Sequence, residues 1–578
     1  MRNGLSIFCM SVILFTFTQK LYSQSAFPTD YFSSPVDFRI YLSANFAEIR
    51  SNHFHSGLDI KTKGRSGEKI MAVTDGDIVR IGVSPGGFGN AIYINHPNGY
   101  TSVYGHLSKF SEEVSEYVKN SQYERKSFAV NLYPPKGRFS VKKGDLIGFS
   151  GNSGSSLGPH LHFEIRETKS QHPTNPLLYG FEISDNISPI VKSVYLYPGN
   201  DKSKINQEQS KERFMLKKIA GGQYEFKNDS IVYFSGKMGV GVEAYDLLNG
   251  AGNKCGVYSV EMLVDGKRHT YFEQNEFSFS ETRYVNSHID YEEKARKSRK
   301  IMQTFIDPNN RLRIYETTLN GGLIDFKDKK SHNIKLVLKD FHQNTSTIDF
   351  KVKSVSDSIA ILAEPEIEYL LLMPYNNRNK YSFNGFEIDI PKNVLYDTLK
   401  FRFMVTPPLK GSYSKVYHVH NAYTPAHKFF TIRIKPENVP DSLHSKLMMG
   451  GVYGDKIFAR NGEWKDGAVE IKTRDFGTYL VAMDTIAPSV LPNNFKRNSD
   501  LSKKTSLRFT VRDDFSGIAT YKGYIDGKWA LFEYDPKYDR LSYTLDKERI
   551  GKGKDHELVL KVADVKKNEK TFKMKFYW

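Results

Sequence analysis

The stretch Ala91-Ile-Tyr-Ile-Asn-His-Pro-Asn-Gly-Tyr-Thr-Ser-Val-Tyr104 contains two short apolar runs on either side of an Asn-Gly pair. Asn-Gly favours the tight turn of a β-hairpin, and the flanking Ile, Val, Thr and Tyr residues favour strands. Similar runs separated by Gly-rich turns occur on both sides, without a helical period, and the predicted strands are Ile70–Val73, Asp77–Val83, Ala91–Asn95, Thr101–Tyr104, Leu146–Ser150 and Leu161–Glu164. Residues 27–185 are therefore predicted to form an all-β domain.

The remainder of the chain contains an internal repeat. Three segments occur twice in the same order, and an asparagine follows the last of them at the same offset in both copies. The matching pairs are Asp185–Val191 with Asp484–Val490, Asp265–Lys267 with Asp526–Lys528, and His332–Asp340 with His556–Asp564, followed by Asn344 and Asn568. Three ordered matches are hard to obtain by accident, so we interpret them as two copies of one module.

Each copy begins with a Pro-containing linker and ends in an alternating strand, which is typical of tandem β-sandwich, Ig-like modules. We predict one such module over residues 186–355, with an insertion around 275–330, and another over 484–578. Strand-like runs between them predict a further β module over 356–483. We expect these modules to fold separately from the domain at 27–185 and to contribute nothing to its chemistry.

Residues 1–23 have the layout of a secretory signal peptide. Arg2 precedes an apolar run over Leu5–Phe17, and the small residue Ser23 precedes the expected cleavage point. That run is too short to span a bilayer comfortably, and no other stretch approaches 18 apolar residues, so no transmembrane span is predicted after cleavage. Cys255 is the only cysteine outside this segment, so no intramolecular disulfide is expected.

The formal net charge of +17 is unevenly distributed. Residues 27–185 hold 17 Lys and Arg against 16 Asp and Glu, so nearly all of the surplus belongs to residues 186–578. The sequence has no recognisable nucleic-acid-binding motif, and nucleic acid is a poor partner for an exported protein. A basic C-terminal region could bind anionic polymers of a cell envelope. The alternative interpretation is that the basic surface only keeps the protein soluble.

Three short segments concentrate the residues that carry metal and acid–base chemistry, namely Asn52–Ile60, Tyr104–Leu107 and Gly158–Glu164. His160 and His162 are two residues apart on a predicted strand, so their side chains share one face. They can share a metal ion, or one can bind the metal while the other transfers protons. His55 and Asp59 would add a nitrogen and an oxygen ligand. Three protein ligands with an open fourth position are the usual composition of a catalytic zinc site.

The order of these motifs resembles the signature of the lysostaphin-type (LytM-like) zinc peptidases. The signature reads H-x-x-x-D, then Y-G-H-L, then G-P-H-L-H-F-E, and this sequence matches it from His55, Tyr104 and Gly158. The similarity extends to the neighbouring stretches Gly89–His96, Val141–Gly148 and Asn175–Leu177. It covers about residues 35–180, under a third of the chain.

The resemblance implies a LytM-like antiparallel β domain in which His55, Asp59 and His162 bind Zn²⁺. It also implies that His106 and His160 are an unliganded catalytic pair. One would activate a water molecule, and the other would stabilise the tetrahedral intermediate or protonate the leaving amine. The sequence leaves this division open. The implied activity is hydrolysis of peptide cross-links or stem peptides of peptidoglycan, in the periplasm or envelope of a Gram-negative bacterium or outside the cell.

The sequence departs from the family pattern in two places. Some members carry a Tyr six residues before the first ligand, where it helps to hold the oxyanion, but this chain has Ile49, beside Arg50. The segment between His106 and Val141 is also longer than usual, and its extra part, about 113–139, is either a groove-lining loop or a surface excursion. The alternative function is a non-catalytic LytM-like scaffold that binds the wall or activates other wall hydrolases. A third reading makes the C-terminal modules an adhesin or a polymer-binding array.

Overall fold

The computed structural model describes residues 27–228, 231–355, 369–496 and 499–578. The predicted signal segment at residues 1–23 lies outside these ranges. Among the described residues, no helix is both long and apolar enough to cross a membrane. Strands dominate every part of the described chain, and the predicted all-β fold class is confirmed.

The N-terminal domain consists mainly of short antiparallel strands. Their bounds are β1 (Leu42–Ala44), β2 (Leu58–Lys61), β3 (Lys69–Met71), β4 (Gly76–Val83), β5 (Asn90–Asn95), β6 (Tyr100–Leu107), β7 (Lys109–Phe110), β8 (Val130–Leu132), β9 (Ser140–Val141), β10 (Leu146–Phe149), β11 (His160–Glu167) and β12 (Pro173–Thr174). The main sheet runs in the order β1-β2-β11-β6-β5-β4-β8, and β3-β10-β7 form a smaller sheet. The Asn-Gly turn joins β5 to β6 as predicted, with Gly99 at a φ of 84°.

One α-helix, α1 (Glu112–Arg125), interrupts the strands of this domain. The sequence pattern predicts a loop or a surface excursion without a helix here, and that prediction is wrong. Val114, Val118 and Gln122 face the interior, each four residues after the previous one. Because Gln122 is polar and charged residues occupy much of the rest of the helix, the apolar stripe is too narrow to produce a clear helical period.

The second module forms one extended sheet with two short helices. Its elements are β13 (Ile190–Pro198), β14 (Lys204–Ile205), β15 (Glu212–Lys218), β16 (Gln223–Phe226), β17 (Val232–Ser235), β18 (Met238–Leu247), β19 (Lys254–Cys255), β20 (Ser259–Val264), β21 (Lys267–Glu273), α2 (Val285–His288), α3 (Tyr291–Lys297), β22 (Ile301–Gln303), β23 (Tyr315–Thr318), β24 (Ser331–Lys339) and β25 (Thr345–Ser354). The two helices and β22 lie in the predicted insertion.

The two remaining modules are β-sandwiches, each with a separate hydrophobic core between two main sheets. The strands of the third are β26 (Leu371–Met373), β27 (Asn379–Phe383), β28 (Phe386–Ile390), β29 (Leu399–Phe401), β30 (Phe403–Thr406), β31 (Val416–Val419), β32 (Pro425–Ile434), β33 (Leu447–Tyr453), β34 (Lys456–Ala459), β35 (Glu463–Lys465), β36 (Ala468–Asp475) and β37 (Gly477–Met483). The strands of the last are β38 (Ser489–Pro492), β39 (Ser506–Arg512), β40 (Ile518–Ile525), β41 (Lys528–Ala530), β42 (Phe532–Asp535), β43 (Arg540–Thr544), β44 (Asp555–Asp564) and β45 (Glu569–Tyr577). The exact module boundaries remain a prediction.

The sequence repeat has the same local structure in both copies. Asp265 and Asp526 each adopt a φ of 50° in a tight Asp-Gly turn. The carboxylate of Asp265 contacts His332 Nδ1 at 2.6 Å, and that of Asp526 contacts His556 Nδ1 at 2.7 Å. The repeated Asp and His residues therefore stabilise a hairpin turn.

The N-terminal domain and the second module share one hydrophobic core. Phe46 and Phe54 of the N-terminal domain pack against Phe277 of the insertion, with ring centroids 5.2 and 5.6 Å apart. A hydrogen bond also joins the two units, because the backbone N–H of Phe54 donates to the side-chain hydroxyl of Thr282 at 2.7 Å. Because this core is continuous, the N-terminal domain is not an independent unit of packing.

The last module also contacts the N-terminal domain, through α1. Lys119 lies 2.7 Å from the carboxylate of Asp546, and the ring of Tyr123 meets Trp529 edge-on at 5.3 Å. The extra segment in the N-terminal domain is therefore a docking surface for the last module, which neither of the two sequence-based interpretations proposed.

Candidate metal centre and active site

Three neighbouring strands position the candidate site at the middle of the main sheet. Strand β11 pairs with β2 so that His162 lies opposite Asp59, and with β6 so that His162 lies opposite Gly105. His55 belongs to the loop that leads into β2. The antiparallel register thus brings together segments that are about a hundred residues apart in the sequence.

Three donor atoms form a compact triangle at this point. His55 Nε2 lies 2.9 Å from Asp59 Oδ1, His162 Nδ1 lies 3.0 Å from the same oxygen, and the two nitrogens are 3.1 Å apart. Ligands of a tetrahedral zinc ion with bonds of about 2.0–2.1 Å are separated by about 3.3 Å. The triangle therefore has the size and the donor types of a zinc site.

Hydrogen bonds on the far side of each imidazole determine which nitrogen carries a lone pair. His55 Nδ1–H donates to the carbonyl of Asn45 at 2.8 Å, and His162 Nε2–H donates to Glu164 Oε1 at 2.8 Å. The nitrogens that face the triangle are consequently unprotonated in the neutral rings. Two lone pairs and a carboxylate oxygen that converge in this way repel one another unless a cation lies between them.

Glu164 supports this arrangement from a completely buried position. Its other oxygen accepts from Arg166 Nε at 2.5 Å, and Ser56 Oγ donates to Oε1 at 2.5 Å. Burial opposes ionisation, but Arg166 and His162 outweigh it and lower the pKa of Glu164 to about 2. The motif Gly158–Glu164 contains Glu164 but does not by itself indicate this role; the available signal is the two-residue spacing between His162 and Glu164 on one strand.

Asp59 is ionised. Burial alone would raise its pKa, but His55 and the other two imidazoles around it hold the pKa well below its usual range. Arg50 lies 3.3 Å from Asp59 Oδ2, the oxygen that faces away from the triangle, and 3.4 Å from Glu48. Ile49 is buried, so the Tyr position of other family members holds a packing residue here.

His106 and His160 flank the triangle, with ring centroids 4.8 Å apart. His106 Nδ1–H donates to the carbonyl of Ser153 at 2.9 Å, and His160 Nδ1–H donates to the carbonyl of Gly158 at 2.8 Å. Both rings therefore keep Nε2 as the free nitrogen, and His160 Nε2 lies 3.4 Å from Asp59 Oδ1. Burial lowers the pKa of His106 to about 3, which keeps this ring neutral at neutral pH.

The loop that precedes His160 is held by the last module. Lys537 Nζ donates to the carbonyl of Asn152 at 2.5 Å and to that of Ser156 at 3.2 Å. Ser156 Oγ in turn lies 3.2 Å from His160 Nδ1. A residue almost four hundred positions away thus anchors the segment that carries a candidate catalytic histidine, and no local sequence signal marks it.

The structure brings all five residues from the sequence motifs into one site. His55, Asp59 and His162 form the triangle, and His106 and His160 lie beside it. The sequence motifs do not reveal the residues that orient or anchor these five, which are Asn45, Ser56, Glu164, Arg166, Ser156 and Lys537.

Two parts of the chain match known family models. Residues 53–123 and 136–176 match peptidase family M23, and residues 371–484 match a Zu5-like domain. The interruption in the first match falls at the end of α1 and in the segment after it, within the region that is longer than usual.

Curated proteins are similar to part of this chain. The DD-carboxypeptidase/endopeptidase Mpg of Neisseria meningitidis is 32% identical over 145 residues, which is 25% of this chain and 26% of the relative. The peptidoglycan DD-endopeptidase ShyA of Vibrio cholerae is 31% identical over 137 residues, 23% of this chain and 26% of the relative. Lysostaphin of Staphylococcus simulans is 33% identical over 99 residues, 17% of this chain and 15% of the relative. The chain thus spans about a quarter or less of the length of these relatives. Its N-terminal domain belongs to peptidase family M23, of the lysostaphin or LytM type.

Proposed function

We propose that this protein is a zinc-dependent endopeptidase that hydrolyses peptide cross-links or stem peptides of bacterial peptidoglycan. The observation that carries the proposal is the triangle of His55 Nε2, Asp59 Oδ1 and His162 Nδ1, with two further imidazoles at its edge. Its donor set matches a zinc site with three protein ligands and an open position.

Each group in the site has a defined part in this proposal. His55, Asp59 and His162 would hold the metal, which when bound would act as a Lewis acid that polarises a carbonyl and acidifies water. His106 and His160 each keep a free Nε2, and their ring centroids lie 4.8 Å apart beside the three ligands. One of them accepts the proton of the attacking water, and the other donates a hydrogen bond to the developing oxyanion or a proton to the leaving amine.

The proposed substrate class is based on the names of the similar proteins. Mpg and ShyA are named as DD-peptidases, ShyA as one that acts on peptidoglycan. We therefore favour the peptide part of peptidoglycan as the substrate and place the protein in the cell envelope. The basic C-terminal modules would add affinity for anionic envelope polymers, which is expected to weaken as salt screens exposed charges.

The alternative is a non-catalytic LytM-like scaffold that binds the wall or activates other hydrolases. Such scaffolds are expected to lack some of the ligands. In this chain all five positions are occupied by the required residues and converge on one site. This observation favours the enzyme.

The test measures release of soluble peptide fragments from isolated peptidoglycan by the full chain. Activity is expected to disappear with a chelator and to return with added Zn²⁺. His162→Ala should abolish both activity and bound metal, because two remaining ligands rarely hold zinc well. If elemental analysis found full zinc content in that variant, the assignment of His162 as a ligand would be wrong. Inactivity of the zinc-loaded wild type on all peptidoglycan types would instead favour the scaffold.

A further inference from the structure

A pocket lies where the N-terminal domain, the insertion of the second module and the third module meet. Its cavity has a volume of about 340 Å³. The N-terminal domain contributes Asn52, whose side-chain carbonyl accepts a hydrogen bond from the amide of Asn286 in the insertion at 2.8 Å. Asn52 is three residues before the candidate ligand His55. The pocket therefore adjoins the segment that leads into the candidate active site.

Basic side chains dominate the lining of this pocket, which we call the basic pocket. Four of its lining residues are cationic and one, Asp475, is anionic, so the lining has a surplus of three positive charges. The four cationic residues are Arg283 of the insertion and Arg460, Lys472 and Arg474 of the third module.

The three arginines of the basic pocket lack a carboxylate partner. No ion pair joins Arg283, Arg460 or Arg474 to an acidic residue in the part of the chain that the structure describes. The Nε atoms of Arg460 and Arg474 are buried and have no hydrogen-bond partner among the described residues. Arg283 Nε donates to the carbonyl of Ala426 at 3.0 Å, which is a neutral acceptor. Buried donors without an acceptor are rare in folded proteins.

The arginine charges also repel one another. Burial and the nearby charge of Arg474 lower the pKa of Arg283 from its ordinary value. A guanidinium group nevertheless stays charged at neutral pH, so the repulsion persists. Asp475 is exposed and forms no ion pair with either arginine among the described residues. Like charges gathered in a partly desolvated space are unfavourable unless an anion accompanies them.

Aromatic rings hold two of the guanidinium groups. Arg474 lies over the ring of Phe429 at 4.1 Å, and Arg460 lies over the ring of Tyr479 at 4.6 Å. Arg460 Nη1 also donates to the hydroxyl of Tyr479 at 3.4 Å. Stacking covers a face of the guanidinium plane and restricts its rotation, while the N–H groups at the edge of the plane can still bind an oxyanion. The arginines are therefore partly ordered before any ligand binds.

We propose that the basic pocket binds a phosphate group. One guanidinium is enough to pair with a carboxylate through two parallel hydrogen bonds. A phosphate carries up to two negative charges and offers more acceptor oxygens, which suits three guanidinium groups and a surplus of three charges. The phosphate is either the free inorganic ion or an ester on a larger ligand, and both present the same oxygens. A bound phosphate would link the second module to the third, because Arg283 belongs to one and the other two arginines belong to the other.

The test is a calorimetric titration of the full zinc-loaded chain with inorganic phosphate, glycerol phosphate and acetate in separate runs. Wild type is expected to bind inorganic phosphate saturably, and Arg474→Gln should weaken this binding about tenfold or more, because it removes a charge-assisted hydrogen bond. Phosphate bound at the candidate zinc site would persist in this variant, since the five candidate active-site residues are unchanged. Equal binding of glycerol phosphate would assign an ester as the ligand, and binding of inorganic phosphate alone would assign the free ion.

Two further variants make the result specific. Arg378→Gln is the matched control, because Arg378 is an exposed arginine of the same module that pairs with Asp389 outside the pocket, and it should keep wild-type affinity. Arg283→Gln should weaken binding by a factor similar to that of Arg474→Gln, and it replaces that variant if the latter does not fold. The proposal is overturned if wild type binds no phosphate at millimolar concentration, if both pocket variants bind phosphate like wild type, or if acetate binds as tightly as phosphate. Binding is measured without peptidase activity, so this outcome is separate from that of the proposed function.

Discussion

Replacement of Glu164 by Gln tests how the fold supports the candidate metal centre. In the wild type the carboxylate accepts His162 Nε2–H at 2.8 Å and Arg166 Nε–H at 2.5 Å. Glutamine preserves the size of the side chain but replaces one oxygen by an NH₂ group. In either amide orientation that NH₂ faces an N–H donor, so one neighbour loses its acceptor.

The expected losses of zinc affinity and of stability follow from the burial of Glu164 and its partners. Loss of an outer hydrogen bond to a metal-binding histidine typically lowers metal affinity 10- to 100-fold, or about 1.4–2.7 kcal/mol. Arg166 is only 6% exposed and loses the charge that neutralises it. Breaking a buried ion pair by removing one partner costs about 3–5 kcal/mol of stability.

The loss of stability should depend on pH in a defined direction. Arg166 and His162 hold the folded-state pKa of Glu164 at about 2, below its ordinary value of 4.5. The stabilisation is therefore fully present above about pH 4.5 and disappears as the pH falls through about 2. The difference between the variant and wild type should shrink over this acidic range.

Zinc affinity is measured by competition with a chromogenic chelator, and stability by thermal unfolding. Glu167→Gln provides the control, since Glu167 ends the same strand in an exposed position. Wild-type zinc affinity and stability in the Glu164→Gln variant would refute the assigned role of this carboxylate.

Three other predictions concern groups around the site. His106→Ala and His160→Ala should each retain zinc while activity falls by about two to four orders of magnitude; metal loss in the second variant would make His160 a ligand. Lys537→Ala should retain zinc and lower kcat about tenfold or less by releasing the loop at Asn152, and an unchanged kcat would show that this anchor is dispensable. A chain that ends at Gly180 should be poorly soluble, because it exposes the aromatic core shared with the second module; a monodisperse, zinc-binding product would contradict this.

The N-terminal fold and the five candidate site residues could be predicted because their signals are local. A turn pair between β-branched runs specifies the hairpin, and a period of two places His160 and His162 on one face. The helix α1 was missed because its buried stripe is narrow and ends in Gln122. The repeat was visible because Asp-Gly turns and a following Asp–Asn pair recur in the same order in both copies.

The sequence by itself thus determined the all-β class, the family of the N-terminal domain and the identity of its metal-binding and acid–base candidates. Only the tertiary structure decided that Glu164 orients His162 and that Lys537 anchors the loop before His160. The physical reason is that side-chain burial and pairing depend on contacts between segments far apart in the chain. Hydrophobic periodicity describes which face of an element is buried, but it carries no information about which distant charge or carbonyl lies opposite.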